Sequence, residues 1–150
     1  MVDGQVYTDS VAIMRFLADH HNALAPAPGS VDRLKMDSHI EFLNEEFDAL
    51  FWIAAKNSFI NPSDHRSTDI KPVLMWEFER SLKRFADRLG DGPYLMGDEF
   101  TIADIMAVHC LNWSRVAKFP AAEGAVKAYA KSVRARAAYQ RVMDLVADAT

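Results

Sequence analysis

The sequence is poor in cysteine, in long apolar runs and in positive charge. Its single cysteine, Cys110, cannot form a disulfide within the chain, and such a usage is typical of proteins from a reducing compartment. No stretch approaches the ~18 uninterrupted apolar residues of a transmembrane helix, and the N-terminus lacks the basic and apolar segments of a signal peptide. The 17 basic residues against 21 acidic ones give a net charge of −4, which does not favour nucleic-acid binding. We therefore expect a cytoplasmic protein without a membrane or nucleic-acid partner.

The composition that remains is that of an ordinary globular chain. Half of the 150 residues are hydrophobic and 25% are charged, a balance that excludes intrinsic disorder and low-complexity scaffolds. A chain of this length is about the size of one domain and can bury roughly 70% of the surface that its unfolded form exposes. The sequence is therefore long enough to form a hydrophobic core.

The apolar periodicity is helical along most of the chain. Only residues 5–8 alternate in the manner of a strand. Asp9 or Ser10 then precedes a helix that ends near residue 22, and the Pro- and Gly-containing segment 23–30 has the composition of a linker. Beyond the linker, apolar residues recur every three or four positions and predict further helices over 31–59, 69–89, from 101 onward, 121–133 and 136–148. The sequence thus predicts a mainly α fold.

Two groups of chemically reactive side chains lie on predicted helices. His109 and Cys110 are neighbours, so their side chains point about 100° apart on a helix and cannot share a proton directly; we interpret both as core residues. Glu45, Glu46 and Asp48 could act as acids or bases only if burial raised their pKa, and a solvated helix face is the simpler interpretation. Histidine, cysteine and acidic residues are not clustered at metal-ligand spacing, so no metal site is predicted.

The segment Phe100-Thr101-Ile102-Ala103-Asp104-Ile105 has the pattern of a helix start. Thr101 can accept the N–H of the third helical residue while Asp104 accepts the N–H of Thr101, as in a capping box with Asp in place of Glu. Phe100 and Ile105 can then pack on each other as a hydrophobic staple. We predict that Thr101 and Asp104 form a structural helix cap without a catalytic role.

Asp9 and Ser10 leave two interpretations open. They directly precede or begin a helix, where free backbone N–H groups and a hydroxyl could bind the carboxylate of a ligand. The same residues could serve only as an ordinary N-cap. The residues alone do not favour one interpretation over the other.

Taken in order, three segments resemble the glutathione transferase family. Residues 3–17 are similar to the last strand and third helix of its thioredoxin-like domain, with the pattern acid-Ser-x-Ala-Ile-x-x-Tyr-Leu in the run Asp9-Ser10-Val11-Ala12-Ile13-Met14-Arg15-Phe16-Leu17. Residues 92–104 resemble the segment that enters the central helix of its all-helical domain. Residues 129–136 are similar to its closing Tyr-x-x-x-x-x-x-Arg stretch, although Ala137 stands where proline is common.

The resemblance implies a division of the chain and a ligand site. Residues 1–22 would be a strand and helix remnant of a thioredoxin-like domain, 23–30 a linker, and 31–150 the C-terminal helical domain, a bundle of about five helices. Asp9 and Ser10 would hold the γ-glutamyl end of glutathione, with the hydroxyl and N–H of Ser10 bonding its carboxylate.

The activity implied by the resemblance is addition of the glutathione thiolate to small apolar electrophiles, a detoxification reaction of a homodimeric enzyme with glutathione as substrate and no metal. Phe51 and Trp113 are candidates for lining the groove for the electrophile. The thiol-activating residue of the family belongs to an earlier segment, and neither Tyr7 nor Cys110 takes its place by position. This chain alone is therefore expected to be inactive. The alternative is a non-catalytic docking module with a transferase-like fold.

The first predicted helix also has an apolar face that calls for a partner. Ile13 and Phe16 would pack on a sheet, and a single strand cannot supply one. We predict that residues 1–22 either pair with a second copy of the chain or expose an apolar patch.

Overall fold

The computed structural model describes residues 2–67 and 69–148, and most of these residues are helical. The α-helices are α1 (Ser10–His21), α2 (Val31–Leu43), α3 (Ala49–Ala55), α4 (Ile70–Leu89), α5 (Ile102–Val116), α6 (Gly124–Arg134) and α7 (Ala137–Asp148). The prediction of a mainly α fold is confirmed. The described helices include none that is long and apolar enough to cross a membrane.

The predicted strand over residues 5–8 is wrong. Val2 and Gln5 form an isolated bridge through two backbone hydrogen bonds of 3.0 and 2.9 Å, and Val6 and Tyr7 are exposed. A strand is stable only when a neighbouring strand pairs with its backbone groups. Within residues 2–67 and 69–148, residue 5 bridges only to Val2, and no segment pairs with residues 6–8.

The predicted long helix over 31–59 is present as a nearly continuous helical segment with two π-helical turns. Asn44–Asp48 joins α2 to α3, and Lys56–Ile60 follows α3. The predicted apolar stripe faces the core, and its buried members are Met36, Ile40, Leu43, Phe47 and Ala54. These residues pack α2 and α3 against α4 and α5.

Phenylalanine rings form the centre of the core. Phe47, Phe51, Phe78 and Phe85 are fully buried. The Phe78 ring centroid lies 5.0 Å from that of Phe47 and 5.2 Å from that of Phe51, both in edge-to-face geometry. Such pairs favour one arrangement of the rings beyond the gain from burial alone. They fix α4 against the α2–α3 segment.

The start of α5 is held by a fully buried carboxylate. Asp104 accepts the N–H of Thr101 at 2.8 Å, and a capping box is present at this helix start. Its other oxygen accepts the N–H of Leu95 at 3.0 Å and the hydroxyl of Tyr129 at 2.8 Å. Asp104 therefore joins the segment before α5, the first turn of α5, and α6.

His39, on α2, is buried with an unpaired ring nitrogen. Among the described residues, its Nδ1 atom has no hydrogen-bond partner. Burial lowers the pKa of His39, the positive charges of Arg88 and Lys35 lower it further, and Asp104 acts in the opposite direction. The folded protein therefore favours the neutral imidazole.

Removing the Asp104 carboxylate should destabilise the fold strongly. Asp104→Ala removes the buried acceptor of the Leu95 and Thr101 N–H groups and of the Tyr129 hydroxyl, and we expect a loss of about 3 kcal/mol or more in the free energy of unfolding. Thr101→Ala should cost about 1 kcal/mol. Chemical denaturation measures both, with the exposed Asp98→Ala as the matched control. Equal losses for Asp104→Ala and Asp98→Ala would contradict the assigned role.

Acid should destabilise the protein through His39. Because the pKa of His39 is lower in the fold than the ordinary value of 6.5, the unfolded chain binds the proton more readily, and stability is lost as the pH falls below about 6.5. His39→Leu removes this loss. Urea denaturation at about pH 8 and about pH 5 measures the free energy of unfolding of both proteins. Relative to wild type, the variant should be more stable at the lower pH than at the higher one. If the free energies of unfolding of wild type and variant changed equally with pH, His39 would not cause the loss of stability in acid.

Candidate functional site

A cleft of about 500 Å³ lies where three helical segments meet. One side is the start of α1, another is the helical segment from Asn44 to Trp52, and the third is α5. The residues that line it are Asp9, Ser10, Val11, Asn44, Asp48, Trp52, Met106, His109 and Trp113. Polar groups from distant parts of the sequence therefore converge beside two tryptophans.

Asp9 and Ser10 form one end of the cleft. Asp9 precedes α1 with a left-handed φ of 73°, and its side chain makes no capping hydrogen bond. Such a φ is uncommon for residues other than glycine and stores strain. The first N–H groups of α1 have no partner within the helix, and the side chain of Ser10 is exposed. Hydroxyl and N–H groups are therefore free to bind an anion at this end.

Two tryptophans form the apolar wall. The ring centroids of Trp52 and Trp113 lie 5.2 Å apart at 89°, and Trp52 is 45% exposed. Phe51 packs behind Trp113 at 5.5 Å and is completely buried. The prediction that Trp113 lines a groove agrees with this geometry. The same prediction for Phe51 is wrong, since its ring belongs to the core.

Asp48 and His109 also reach the cleft, whereas the sequence favoured a solvated helix face for Asp48 and a core position for His109. Asp48 ends the π-helical turn and is half-buried. Burial raises the pKa of its carboxyl group, while the nearby His109 acts in the opposite direction. His109 was interpreted as a core residue, but it is exposed beside Trp113, with ring centroids 6.0 Å apart. The structural feature that marks the position of Asp48 is the π-helical turn Asn44–Asp48. Apolar periodicity in the sequence does not reveal such a turn.

The other reactive groups lie outside the cleft. Cys110 is fully buried, and burial raises the pKa of its thiol. Burial and the adjacent Asp104 likewise raise the pKa of Tyr129. Across the described ranges, histidine, cysteine and acidic residues do not form a group of three or more that could hold a metal ion. Neither the thiol nor the phenol is available to a ligand.

Comparisons with known proteins agree with one another. The family model for "Glutathione S-transferase, C-terminal domain" matches residues 76–147. Glutathione S-transferase GstA of Escherichia coli O157:H7 is 29% identical in an alignment of 119 positions that covers 77% of this chain and 55% of that protein. The class-mu 26 kDa isozyme of Schistosoma mansoni is 31% identical in an alignment of 123 positions that covers 74% of this chain and 52% of that protein. The chain thus spans about half the length of these curated relatives.

Solved structures extend the similarity to nearly the whole chain. BphK, a bacterial glutathione transferase, superposes with a TM-score of 0.82 at 27% identity, covering 97% of this chain and 70% of that one. A sphingomonad glutathione S-transferase complexed with glutathione superposes with a TM-score of 0.80 at 28% identity and the same coverage. This chain belongs to the glutathione S-transferase family.

The residues predicted from the family resemblance fall in two places. Asp9 and Ser10 lie in the cleft together with Trp113. Thr101 and Asp104 are buried and do not line it. In this glutathione S-transferase family member, the candidate ligand-binding residues Asp9 and Ser10 thus lie at the start of α1. The buried cap lies at the start of α5, outside the cleft.

Ion pairs hold α1, and with it Asp9 and Ser10, against α2. Arg15 contacts Asp37 at 3.1 Å and Glu41 at 2.7 Å. Arg33 contacts Asp19 at 2.6 Å and Asp37 at 3.2 Å. Asp37 therefore bridges an arginine of α1 and an arginine of α2. The position of the first turn of α1 in the cleft depends on this network.

Breaking the network should loosen α1 selectively. Arg15→Ala removes two partly exposed pairs worth about 0.5–1 kcal/mol in total, so amide hydrogen exchange in α1 should quicken roughly twofold to fivefold. Arg80→Ala, which removes an exposed pair with Glu77 on α4, is the matched control and should leave α1 unchanged. Equal protection of α1 in both variants would show that the ion pairs do not position it.

Proposed function

We propose that this chain binds glutathione in the cleft and belongs to an enzyme that adds the glutathione thiolate to small apolar electrophiles. The observation that supports this proposal most is that one cleft contains both a helix start suited to anion binding, at Asp9 and Ser10, and the apolar wall of Trp52 and Trp113. Membership of the glutathione S-transferase family and the similarity to a transferase complexed with glutathione support the choice of ligand.

The γ-glutamyl end of glutathione carries one carboxylate and one ammonium group. We assign the carboxylate to the hydroxyl and N–H of Ser10, where the partial positive charge of the α1 N-terminus favours an anion. We assign the ammonium group to the Asp9 carboxylate. The side chain of Asp9 is available for this because it makes no hydrogen bond to the helix start.

The electrophile would lie against Trp52 and Trp113. In the reaction, the thiolate sulfur forms a bond to an electron-poor carbon, and the electron pair moves to a leaving group or into the acceptor. Lowering the pKa of the thiol requires a hydrogen bond to the sulfur. The buried Cys110 and Tyr129 do not provide it, so we expect this chain alone to bind glutathione without efficient conjugation.

We further propose a homodimer in the cytoplasm. On α1, Ile13, Phe16 and Leu17 are 37%, 46% and 46% exposed, which is the apolar patch expected of residues 1–22. Covering such a patch with a second copy would remove apolar surface from water. The single, buried cysteine is typical of a reducing compartment. The same patch is the observation that favours the second candidate function, a non-catalytic docking module.

Titration with glutathione tests the proposal. Wild type should bind glutathione, and Ser10→Ala should weaken binding by about tenfold, because a hydrogen bond to a charged group contributes roughly 1.5–3 kcal/mol. Ser63→Ala is the matched control, since Ser63 is an exposed serine at the first position of another helical turn. Calorimetry measures the affinities. Absence of binding at millimolar glutathione would reject the roles of Asp9 and Ser10 and favour the docking module.

A further inference from the structure

The Asp48 carboxylate is an unusual group to find in the apolar part of the cleft. It lines the cleft beside Trp52, at the end of the π-helical turn Asn44–Asp48. It is half-buried, and among the described residues it has neither a hydrogen-bond nor an ion-pair partner. Burial of a carboxylate without a partner costs free energy. The raised pKa of Asp48 reflects the same cost.

The charges lining the cleft compensate the burial of Asp48 only in part, through His109. The lining includes two carboxylates, Asp9 and Asp48, and no lysine or arginine. His109 is the one basic side chain there, and it is exposed. In the proposed complex, the ammonium group of glutathione pairs with Asp9. The Asp48 carboxylate then remains available to pair with a second ligand, the compound that binds in the cleft beside glutathione.

The aromatic wall next to Asp48 suits the same kind of ligand. Trp52 and Trp113 stand perpendicular to each other, and both line the cleft. The face of an indole ring attracts a cation, and the attraction grows when water is excluded. A carboxylate and two indole rings together provide an ion pair and apolar contact for an organic cation.

We propose that the second ligand of the cleft is an aromatic or alkyl compound bearing a positively charged ammonium group, held by Asp48 and packed against Trp52 and Trp113. This inference rests on the proposed function for the assignment of Asp9 to glutathione, and it gives the electrophile a charge. A neutral apolar compound would leave Asp48 buried without a partner. An anionic compound would face two carboxylates.

Three naphthalene probes of nearly equal shape test the charge preference: 1-naphthylmethylammonium, 1-naphthylmethanol and 1-naphthoate. Calorimetry on the full chain should show the ammonium probe binding about tenfold more tightly than the alcohol, with the carboxylate weakest. In Asp48→Asn, the ammonium and alcohol probes should bind within about twofold of each other. Asp64→Asn, an exposed aspartate outside the cleft, should behave as wild type.

Two further measurements keep the result independent of folding. Asp48→Glu retains the charge and should retain the preference for the ammonium probe. In wild type, raising the ionic strength from about 0.01 M to about 1 M should reduce that preference, because salt screens the ion pair. Equal affinities of wild type for the ammonium and alcohol probes, no binding of the ammonium probe at millimolar concentration, or an unchanged preference in a folded Asp48→Asn variant would overturn the inference.

The glutathione titration separates this inference from the proposed function. Asp48→Asn should leave glutathione affinity within about twofold of wild type, whereas Ser10→Ala should weaken glutathione and leave the preference for the ammonium probe unchanged. A chain that ignores glutathione but prefers the ammonium probe would reject the glutathione site and keep the cation site. A chain that binds glutathione but shows no preference among the probes would keep the glutathione site and reject the cation site.

Discussion

The bundle depends on the buried carboxylate of Asp104. Its oxygens accept hydrogen bonds from Leu95 before α5, from Thr101 at the start of α5, and from Tyr129 on α6. These bonds fix the level at which α5 enters the core. Because a helix rises about 1.5 Å per residue, these bonds also fix the position of Trp113 along the helix axis, about 13 Å beyond Asp104. The cap does not line the cleft, but it determines where one of the walls of the cleft lies.

The other two sides of the cleft come from local departures from regular structure. Asp9 has a left-handed φ just before α1, and Asp48 ends the π-helical turn that joins α2 to α3. Both conformations are less favourable than their regular alternatives and are enriched at functional sites. The start of α1 is attached to the bundle by tertiary contacts, including the ion pair between Arg15 and Asp37 that holds α1 to α2. The polar groups of the cleft therefore depend on packing elsewhere in the bundle.

The sequence predicted those features whose causes are local. The stripe through Met36, Ile40 and Phe47 is buried as its spacing required, because helical periodicity is a property of a single segment. The strand over 5–8 failed because pairing needs a second segment. His109 and Asp48 were misinterpreted for a related reason. Apolar spacing separates a buried face from an exposed one, but it does not show which exposed positions turn toward a cleft formed with another helix.

The distribution of reactive groups limits what the cleft can contribute chemically. Cys110 carries a buried thiol and Tyr129 a buried phenol, and burial raises the pKa of both. The Tyr129 hydroxyl already donates to Asp104. Within the described ranges, the groups that reach the cleft include Asp9, Ser10, Asp48, His109 and Trp52, and they are suited to binding charges and rings. A thiolate nucleophile would therefore come from the ligand, and the work of this part of the chain would be to hold and orient it.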